Sequence, residues 1–280
     1  MSSNNAWFAG KTFLITGGSS GIGLALSKRL ASHGAHLVIV SHDPSEFVLA
    51  RKNLRTYDHQ INYQDCDITD AASREILKTS LEAKITDFAG LINCAGVITF
   101  GPFFSIPSGV LEHVVRVNLL GTLLMIREIF PTILDNSRGI VYLAFISSTS
   151  AILPIPFFGS YPGSKAGLEV LLRSLRQELP SKVKTLVIRP GQVDTALYSK
   201  AQTAPGSKVI PLIQNIKWNL LQPDRVAQTM AAAIIAKKSG FMYPNWATHI
   251  QTAIMGLPGV GRLAQRASRK YMSQWIVNQE

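Results

Sequence analysis

Tyr161 and Lys165, four positions apart, are the side chains best suited to proton transfer. On a helix this spacing places both on one face, so that the ammonium group can lie near the phenol. A neighbouring cation lowers the pKa of a tyrosine, and a general acid or base works best when its pKa is near the working pH. The pair is therefore a candidate acid–base group, although the same spacing also occurs on ordinary helix surfaces.

Ser148 lies thirteen residues before Tyr161, just after an apolar run at residues 139–146. The run predicts a buried strand, and the carboxyl ends of parallel strands face the ligand crevice of an α/β protein. A hydroxyl group at that edge could polarise a substrate carbonyl. Taken alone, however, a serine in this place indicates only the end of a strand.

A glycine-rich segment at residues 16–23 (TGGSSGIG) follows one predicted strand and opens a predicted helix. A turn in this context is typical of a dinucleotide site. We expect Gly17 to permit the tight turn, Gly21 to let the backbone approach a pyrophosphate, and Gly23 to allow close packing of helix on strand. The helix amino terminus then favours the phosphate charge. The spacing G-x-x-x-G-x-G differs from the G-x-G-x-x-G of other dehydrogenases.

The elements that must position these residues alternate between short β-like runs and longer helix-like stretches. This alternation predicts an α/β fold, a doubly wound Rossmann fold in a single domain with a mostly parallel seven-stranded sheet flanked by helices. The predicted strands cover residues 11–16, 36–41, 61–66, 88–93, 139–146, 183–189 and 240–243. The predicted helices cover residues 21–33, 44–57, 70–84, 108–134, 161–179 and 222–237. We place the catalytic domain at residues 1–245 and a basic amphipathic tail at residues 246–280.

Taken in order, these motifs resemble the short-chain dehydrogenase/reductase family over residues 10–243. The motifs are TGGSSGIG at 16–23, Asp67, NCAG at 93–96, Asn118, Ser148, Tyr161 with Lys165, and PGQVDT at 190–195. The resemblance implies an NAD(P)(H)-dependent oxidoreductase that reduces a carbonyl or oxidises an alcohol. One departure is Cys94, which stands where the family usually has a second asparagine.

The resemblance also implies roles for individual residues. Tyr161 would be the general acid in reduction and the base in oxidation, and Lys165 would lower its pKa and hold the nicotinamide ribose. Ser148 would position the substrate oxygen, and Asn118 would hold a water molecule in a proton relay. The other residues implied to bind or shape the cofactor site are Gly17, Ser19, Ser20, Gly21, Ile22, Gly23, Ser41, His42, Asp67, Ile68, Asn93, Ala95, Gly96, Pro190, Val193 and Thr195.

The choice of cofactor is predicted from the end of the second strand. An acidic residue there would bind the ribose 2′-hydroxyl and repel a 2′-phosphate. This chain has Ser41 followed by His42 at that position. A hydroxyl and an imidazole that can become cationic suit a phosphate better. We therefore expect NADP(H) to be favoured over NAD(H), although the arginine that usually selects NADP is absent.

The segments expected to border the substrate, residues 97–104 and 152–158, are apolar. They predict a hydrophobic small-molecule substrate such as a long-chain lipid, a steroid or a retinoid, unless they are ordinary core and loop residues. The chain also has a weaker likeness to 3-ketosphinganine reductases and to steroid and retinol reductases. A non-catalytic NADP(H)-sensing regulatory protein on the same fold is the alternative function.

The formal charge of +11 is concentrated in the last third of the chain. Residues 262–276 predict a basic amphipathic helix, which could make peripheral contact with an anionic membrane or pack on its own domain or on a partner subunit.

The chain has no apolar run of 18 residues and no secretory signal pattern, so we expect a cytoplasmic protein. A homodimer or homotetramer is expected from the family. No nucleic-acid module accompanies the charge, and neither cysteine lies in a metal-ligand spacing, so neither nucleic acid nor metal binding is predicted.

Overall fold

Strands within the described part of the chain form one parallel seven-stranded sheet in the computed structural model, which describes residues 7–82, 87–153, 156–203, 220–255, 259 and 266. They are β1 (Thr12–Thr16), β2 (His36–Ser41), β3 (Ile61–Asp65), β4 (Phe88–Asn93), β5 (Val141–Ile146), β6 (Val183–Ile188) and β7 (Gly240–Met242). Their order in the sheet is β3-β2-β1-β4-β5-β6-β7. The order reverses between β1 and β4, and ligands of open α/β sheets bind at such a point, beyond the carboxyl ends of the strands.

Helices cover both faces of the sheet. They are α1 (Gly21–Ser32), α2 (Pro44–Leu54), α3 (Ala71–Glu82), α4 (Ser108–Asp135), α5 (Tyr161–Leu175), α6 (Pro223–Ile235) and α7 (Trp246–Met255). The predicted doubly wound fold is confirmed, and most predicted boundaries agree within a few residues. The exceptions are helix ends: α2 gives way to a 3-10 turn (Arg55–Gln60), and α5 ends four residues early. The tail contains α7, which was not predicted, and the predicted helix at 262–276 lies, apart from Arg266, outside the described residues.

The central strands β1, β4 and β5 are buried along their whole length because helices cover both faces of the sheet. In β1, Phe13 and Ile15 point into the core shared with α1 and α6. Leu14, between them, points into the opposite core, which contains residues of α3, α4 and α5. This alternation is the period-two geometry of a strand, and it leaves the carboxyl ends of the strands as the place where polar side chains can gather.

The long helix α4 carries two π-helical turns, at Arg116–Gly121 and Met125–Ile129. Among the described residues it is the one helix long and apolar enough to cross a membrane, judged by length and composition only. An 18-residue window of this helix has a mean hydropathy of 1.5, and 44% of that window is buried. Met125 and Ile133 lie in the core beneath the sheet. This packing is that of a core helix. The first π-turn matters for the site because it contains Asn118.

In the loop after β4, the two residues Thr99–Phe100 pair in parallel with Gln202–Thr203, which belong to the segment that follows β6. The pairing is short, but it joins the loop after β4 to the segment after β6 at the carboxyl edge of the sheet. Gly101, the next residue, forms a β-bridge with Phe158, so the pairing lies near the amino terminus of α5.

Candidate active site

A cavity of about 620 Å³ opens at the carboxyl edge of the sheet. It extends from the glycine-rich turn after β1, past the ends of β2 and β4, to the start of α5. The predicted residues that line it are Gly17, Ser20, Gly21, Ile22, Gly23, Ser41, His42, Asp67, Ile68, Ala95, Gly96, Ser148, Tyr161, Lys165, Pro190, Val193 and Thr195. The remaining predicted residues, Ser19, Asn93 and Asn118, are buried behind this lining.

The glycine-rich turn has a shape that only glycine permits. Gly17 has φ +63°, and a Cβ there would lie 2.8 Å from the Ala95 nitrogen; a Cβ on Gly23 would lie 2.0 Å from the Gly17 oxygen. Gly21, with φ +50°, opens α1. No side chain caps the first turn of α1, so backbone N–H groups remain directed at the cavity, as in sites that bind phosphate. The turn therefore fits the diphosphate of a dinucleotide.

Tyr161 and Lys165 lie on one face of α5, as predicted, and both side chains are buried. Lys165 Nζ lies 5.9 Å from the centre of the Tyr161 ring and donates a 2.9 Å hydrogen bond to the Ile146 carbonyl at the end of β5. Burial raises the pKa of Tyr161 to about 12, against the opposing effect of a hydrogen bond with Ser148. Burial also lowers the pKa of Lys165 to about 8, opposed by Cys94 and Glu169.

The Ser148 hydroxyl is oriented by its neighbour Ser150. Ser148 Oγ accepts hydrogen bonds from the Ser150 backbone nitrogen at 3.1 Å and from Ser150 Oγ at 2.9 Å. A serine hydroxyl has two acceptor positions and one proton. Because Ser150 fills both acceptor positions, the proton of Ser148 is left to donate, either to Tyr161 or to an oxygen bound beside it.

Asn118 ties α4 to the loop after β4. Its Oδ1 accepts from the Val97 nitrogen at 2.8 Å, and its Nδ2 donates to the Val97 carbonyl at 2.9 Å and to Ser164 Oγ at 3.1 Å. Gly96 lies between Asn118 and Lys165, because a Cβ there would be 3.3 Å from Asn118 Oδ1 and 3.4 Å from Lys165 Nζ. The amide thus holds the loop in register with α5 and lies close to the lysine.

Three further residues of the predicted set, Asp67, Asn93 and Val193, stabilise the backbone around the cavity. Asp67 Oδ1 accepts two 2.8 Å hydrogen bonds from Thr69, one from its backbone nitrogen and one from its hydroxyl. Asn93 Nδ2 reaches the Ala144 carbonyl at 3.4 Å, which links β4 to β5. Val193 forms a β-bridge with Leu221.

An apolar cluster adjoins Tyr161 at one end of the cavity. Phe100 packs edge-on against Phe158, with ring centres 4.8 Å apart, and stacks on Tyr198 at 6.0 Å. Ile98 lies in the same cluster. Of the predicted substrate segments, residues 154 and 155 lie outside the described residues, and Phe104 is exposed to solvent rather than lining the cavity.

Sequence reasoning missed two ion pairs beside the site. Glu46, in the first turn of α2, contacts Ser41 and Ser19 and pairs with Lys200, which follows β6. No acidic residue stands directly after β2 in the sequence, but the fold brings one there from five positions further on. Glu169, one turn after Lys165 on α5, forms a buried ion pair with Arg189. The i, i+4 spacing from Lys165 is a signal that would have found Glu169.

The fold and the cavity together define a nucleotide-binding protein of the Rossmann type. The family model for short chain dehydrogenases matches residues 11–205. The chain belongs to the short-chain dehydrogenase/reductase family, and it is an NAD(P)-dependent oxidoreductase that acts on CH–OH or C=O groups. This confirms the family and the activity class expected from the sequence.

Individual relatives agree with this assignment. The chain is 27% identical over 261 residues to dehydrogenase/reductase SDR family member 7B of Xenopus laevis, covering 89% of this chain and 80% of that protein. It is 26% identical to 3-ketodihydrosphingosine reductase of Dictyostelium discoideum, covering 80% and 72%. A short-chain dehydrogenase/reductase of Burkholderia phymatum in complex with NAD has the same fold, with a TM-score of 0.79, 23% identity and coverage of 88% and 93%.

Proposed function

We propose that the protein is an NADP(H)-dependent oxidoreductase that reduces a ketone of a hydrophobic, lipid-like substrate, or oxidises the corresponding secondary alcohol, with Tyr161 as the general acid and base. The observation that carries this proposal is that Tyr161 lines the cavity with a hydrogen bond to Ser148, while the buried ammonium group of Lys165 lies 5.9 Å from the centre of its ring. This arrangement can protonate a carbonyl oxygen or remove the proton from an alcohol.

Proton transfer is assigned to the chain's own residues. The bound dinucleotide would supply or accept the hydride. Ser148 would donate a hydrogen bond to the substrate oxygen and stabilise the negative charge that develops on it. Tyr161 would give its proton to that oxygen in reduction and take it in oxidation. The positive charge of Lys165 would stabilise the phenolate left behind, which offsets the effect of burial on the Tyr161 pKa.

Asn118 and Gly96 would take part in returning a proton to Tyr161 after each reduction. We assign to Asn118 the binding of a water molecule near Lys165. Gly96 has no side chain between the Asn118 amide and Lys165 Nζ, which leaves space there. In this proposal the ammonium group passes the proton between the ribose and solvent. Both polar atoms of the Asn118 side chain already bond to protein groups, so its oxygen would use its second acceptor position for the water.

The cofactor would lie along the lining of the cavity. The N–H groups at residues 19–23 would hold the diphosphate, with Gly17 setting the turn. Asp67 and Ile68 would border the adenine, and residues 93–96 and 190–195 the nicotinamide end. Ser41, His42 and Lys200 would face the 2′ position of the ribose. The Ser41 hydroxyl, the His42 imidazole and the Lys200 ammonium group support NADP(H) as the preferred form, whereas Glu46, which is hydrogen-bonded to Ser41 and Lys200, favours an unmodified 2′-hydroxyl.

The substrate would enter beside Tyr161 against the apolar cluster of Ile98, Phe100, Phe158 and Tyr198. No charged side chain belongs to this cluster among the residues described, which suits a hydrophobic ketone. The likeness to a 3-ketodihydrosphingosine reductase supports a long-chain lipid as the first substrate class to test.

We place the protein in the cytoplasm with peripheral contact to membranes through its basic tail. In the described part of the tail, Trp246, Ile250 and Ile254 form an exposed apolar stripe on α7, in keeping with such contact.

We also propose a homodimer or homotetramer. Leu120 on α4 and Val170 on α5 are exposed apolar residues on the helices that would form it.

The experiment that tests this proposal measures NADPH oxidation with long-chain 3-keto lipids, including 3-ketosphinganine, and with steroids, retinal and small aryl ketones. Turnover of one class by the wild type, lost in Tyr161→Phe, would support both the mechanism and the substrate class. Tight NADPH binding without turnover of any class would contradict the substrate proposal and favour the alternative, a cofactor-sensing protein.

A further inference from the structure

A carboxylate, two hydroxyl groups and an ammonium group meet where β2 ends. Glu46 Oε2 accepts hydrogen bonds from Ser19 Oγ at 2.5 Å and from Ser41 Oγ at 3.1 Å, and Glu46 Oε1 accepts one from Lys200 Nζ at 2.7 Å. The side chain of Glu46 is 17% exposed, whereas that of Lys200 is 57% exposed. The carboxylate is therefore fixed by the two serines, and the lysine can leave it without moving the backbone of the sheet.

Both members of this pair are charged at neutral pH. Although burial acts in the opposite direction, hydrogen bonds from Lys200 and Ser19 hold the pKa of Glu46 below its usual range. A hydrogen bond to Glu46 raises the pKa of Lys200. Lys200 also lies 3.9 Å from an oxygen of Asp43, which is partly exposed. The local balance is thus two carboxylates against one ammonium group, with His42 beside them in the cavity lining.

We propose that the Glu46–Lys200 pair reads the 2′ position of the adenosine ribose. Lys200 would exchange Glu46 for a 2′-phosphate, and Glu46 would accept a hydrogen bond from an unmodified 2′-hydroxyl. This inference rests on the proposed function and names the residues that decide between the two forms of the cofactor. The end of β2 borders the ribose in a fold of this kind, and lysine is a common partner of phosphate groups.

The exchange of Glu46 for a 2′-phosphate at Lys200 would explain how the protein selects NADP(H) without the usual arginine. Neither the glycine-rich turn at residues 16–23 nor β2 with the two residues after it, 36–43, contains an arginine or a lysine. The fold supplies a cation from 154 residues beyond Glu46 in the chain. A phosphate dianion attracts an ammonium group more strongly than a single carboxylate does, so a 2′-phosphate can displace Glu46 as the partner of Lys200.

Lys200 also connects the two ends of the cavity. It lies two residues after Tyr198, whose ring stacks on Phe100 in the apolar cluster beside Tyr161. The segment at residues 198–200 therefore contributes both a ring to the apolar cluster and the cation that would face the ribose.

The test is calorimetric titration of the wild type, Lys200→Met and Glu46→Gln with adenosine 2′,5′-bisphosphate and with adenosine 5′-monophosphate, which differ only in the 2′-phosphate. We expect Lys200→Met to weaken bisphosphate binding about tenfold to a hundredfold, since it removes a charge-assisted contact, and to leave the monophosphate unchanged. Glu46→Gln should strengthen bisphosphate binding and weaken monophosphate binding. Lys200→Arg, which keeps the charge, and Lys52→Met, which removes an exposed lysine outside the cavity lining, are the controls.

Equal weakening of both ligands by Lys200→Met would overturn the proposal, because it would show that Lys200 only closes the site. No change in either ligand would overturn it as well. The wild-type ratio of NADPH to NADH affinity separately tests the proposed cofactor preference. If the wild type binds NADH more tightly but Lys200→Met still selectively weakens the bisphosphate, the preference is wrong and the role of the pair stands.

Discussion

Glu169 and Arg189 form a buried ion pair one helical turn beyond Lys165, on the face of α5 that also carries Tyr161. Arg189 Nη2 lies 2.5 Å from Glu169 Oε2, and the two side chains are only 8% and 3% exposed. Glu169 also accepts a 2.6 Å hydrogen bond from Ser147 Oγ, next to Ser148. The pair therefore joins α5 to the ends of β5 and β6, and it supports the backbone from which the proposed catalytic groups project.

Arg189→Met should destabilise the protein strongly. The substitution leaves Glu169 buried without its cation, and breaking a buried pair in this way costs about 3–5 kcal/mol. Chemical denaturation measures the free energy of unfolding. Arg29→Met is the matched control, because the ion pair of Arg29 with Asp224 is partly exposed and such pairs contribute at most about 1 kcal/mol. Similar losses in the two variants would show that the buried pair contributes no more than the surface pair.

Tyr161→Phe should lower kcat by about a hundredfold to ten-thousandfold, since it removes the proposed general acid while keeping the ring. Cofactor affinity and the free energy of unfolding should stay near those of the wild type. Tyr57→Phe, which changes a tyrosine outside the cavity lining, should leave all three quantities unchanged. Retention of more than a third of wild-type kcat in Tyr161→Phe would rule out the proposed role.

Stability should rise with pH between about 8 and 10.5 through Lys165. Burial lowers its pKa in the folded protein to about 8, from 10.5 for a lysine side chain exposed to water. In this window the unfolded chain binds more protons at this group than the folded chain does, so raising the pH favours folding. Because buried tyrosines oppose this trend at high pH, the relevant quantity is the difference between wild type and Lys165→Met. Urea unfolding of both proteins without cofactor at several pH values gives it, and a difference that does not depend on pH would refute this expectation.

Gly23→Ala should abolish tight cofactor binding. A Cβ there would lie 2.0 Å from the Gly17 oxygen, so the turn must move away from α1 and the phosphate cradle is lost. We expect a loss of stability of about 1–3 kcal/mol from the same overlap. Gly109→Ala is the control, because nothing lies within 4 Å of its Cβ position, and it should leave binding intact and change stability by less than about 1 kcal/mol. NADPH titration followed by fluorescence distinguishes the two variants.

Local patterns in the sequence were enough to predict most of the fold. The continuous apolar runs of β1 and β5 indicate strands that are buried on both faces. The spacing of Leu26 and Leu30 on α1 indicates burial that repeats every three to four residues. The glycine-rich turn and the Tyr161–Lys165 pair are predictable for the same reason, since their geometry is set within a few residues. The helix ends were less predictable, because the residues of α2 and its following 3-10 turn have similar local preferences.

What the sequence by itself determined is the family, the Rossmann fold and the residues that meet within single turns and helices. Only the tertiary structure decided which distant groups neutralise one another. Glu46 reaches Lys200, and Glu169 reaches Arg189, because the sheet brings the ends of β2, β5 and β6 to one edge. A contact between charges that lie far apart in the chain depends on how the intervening loops pack. No periodicity or spacing along the sequence records that packing.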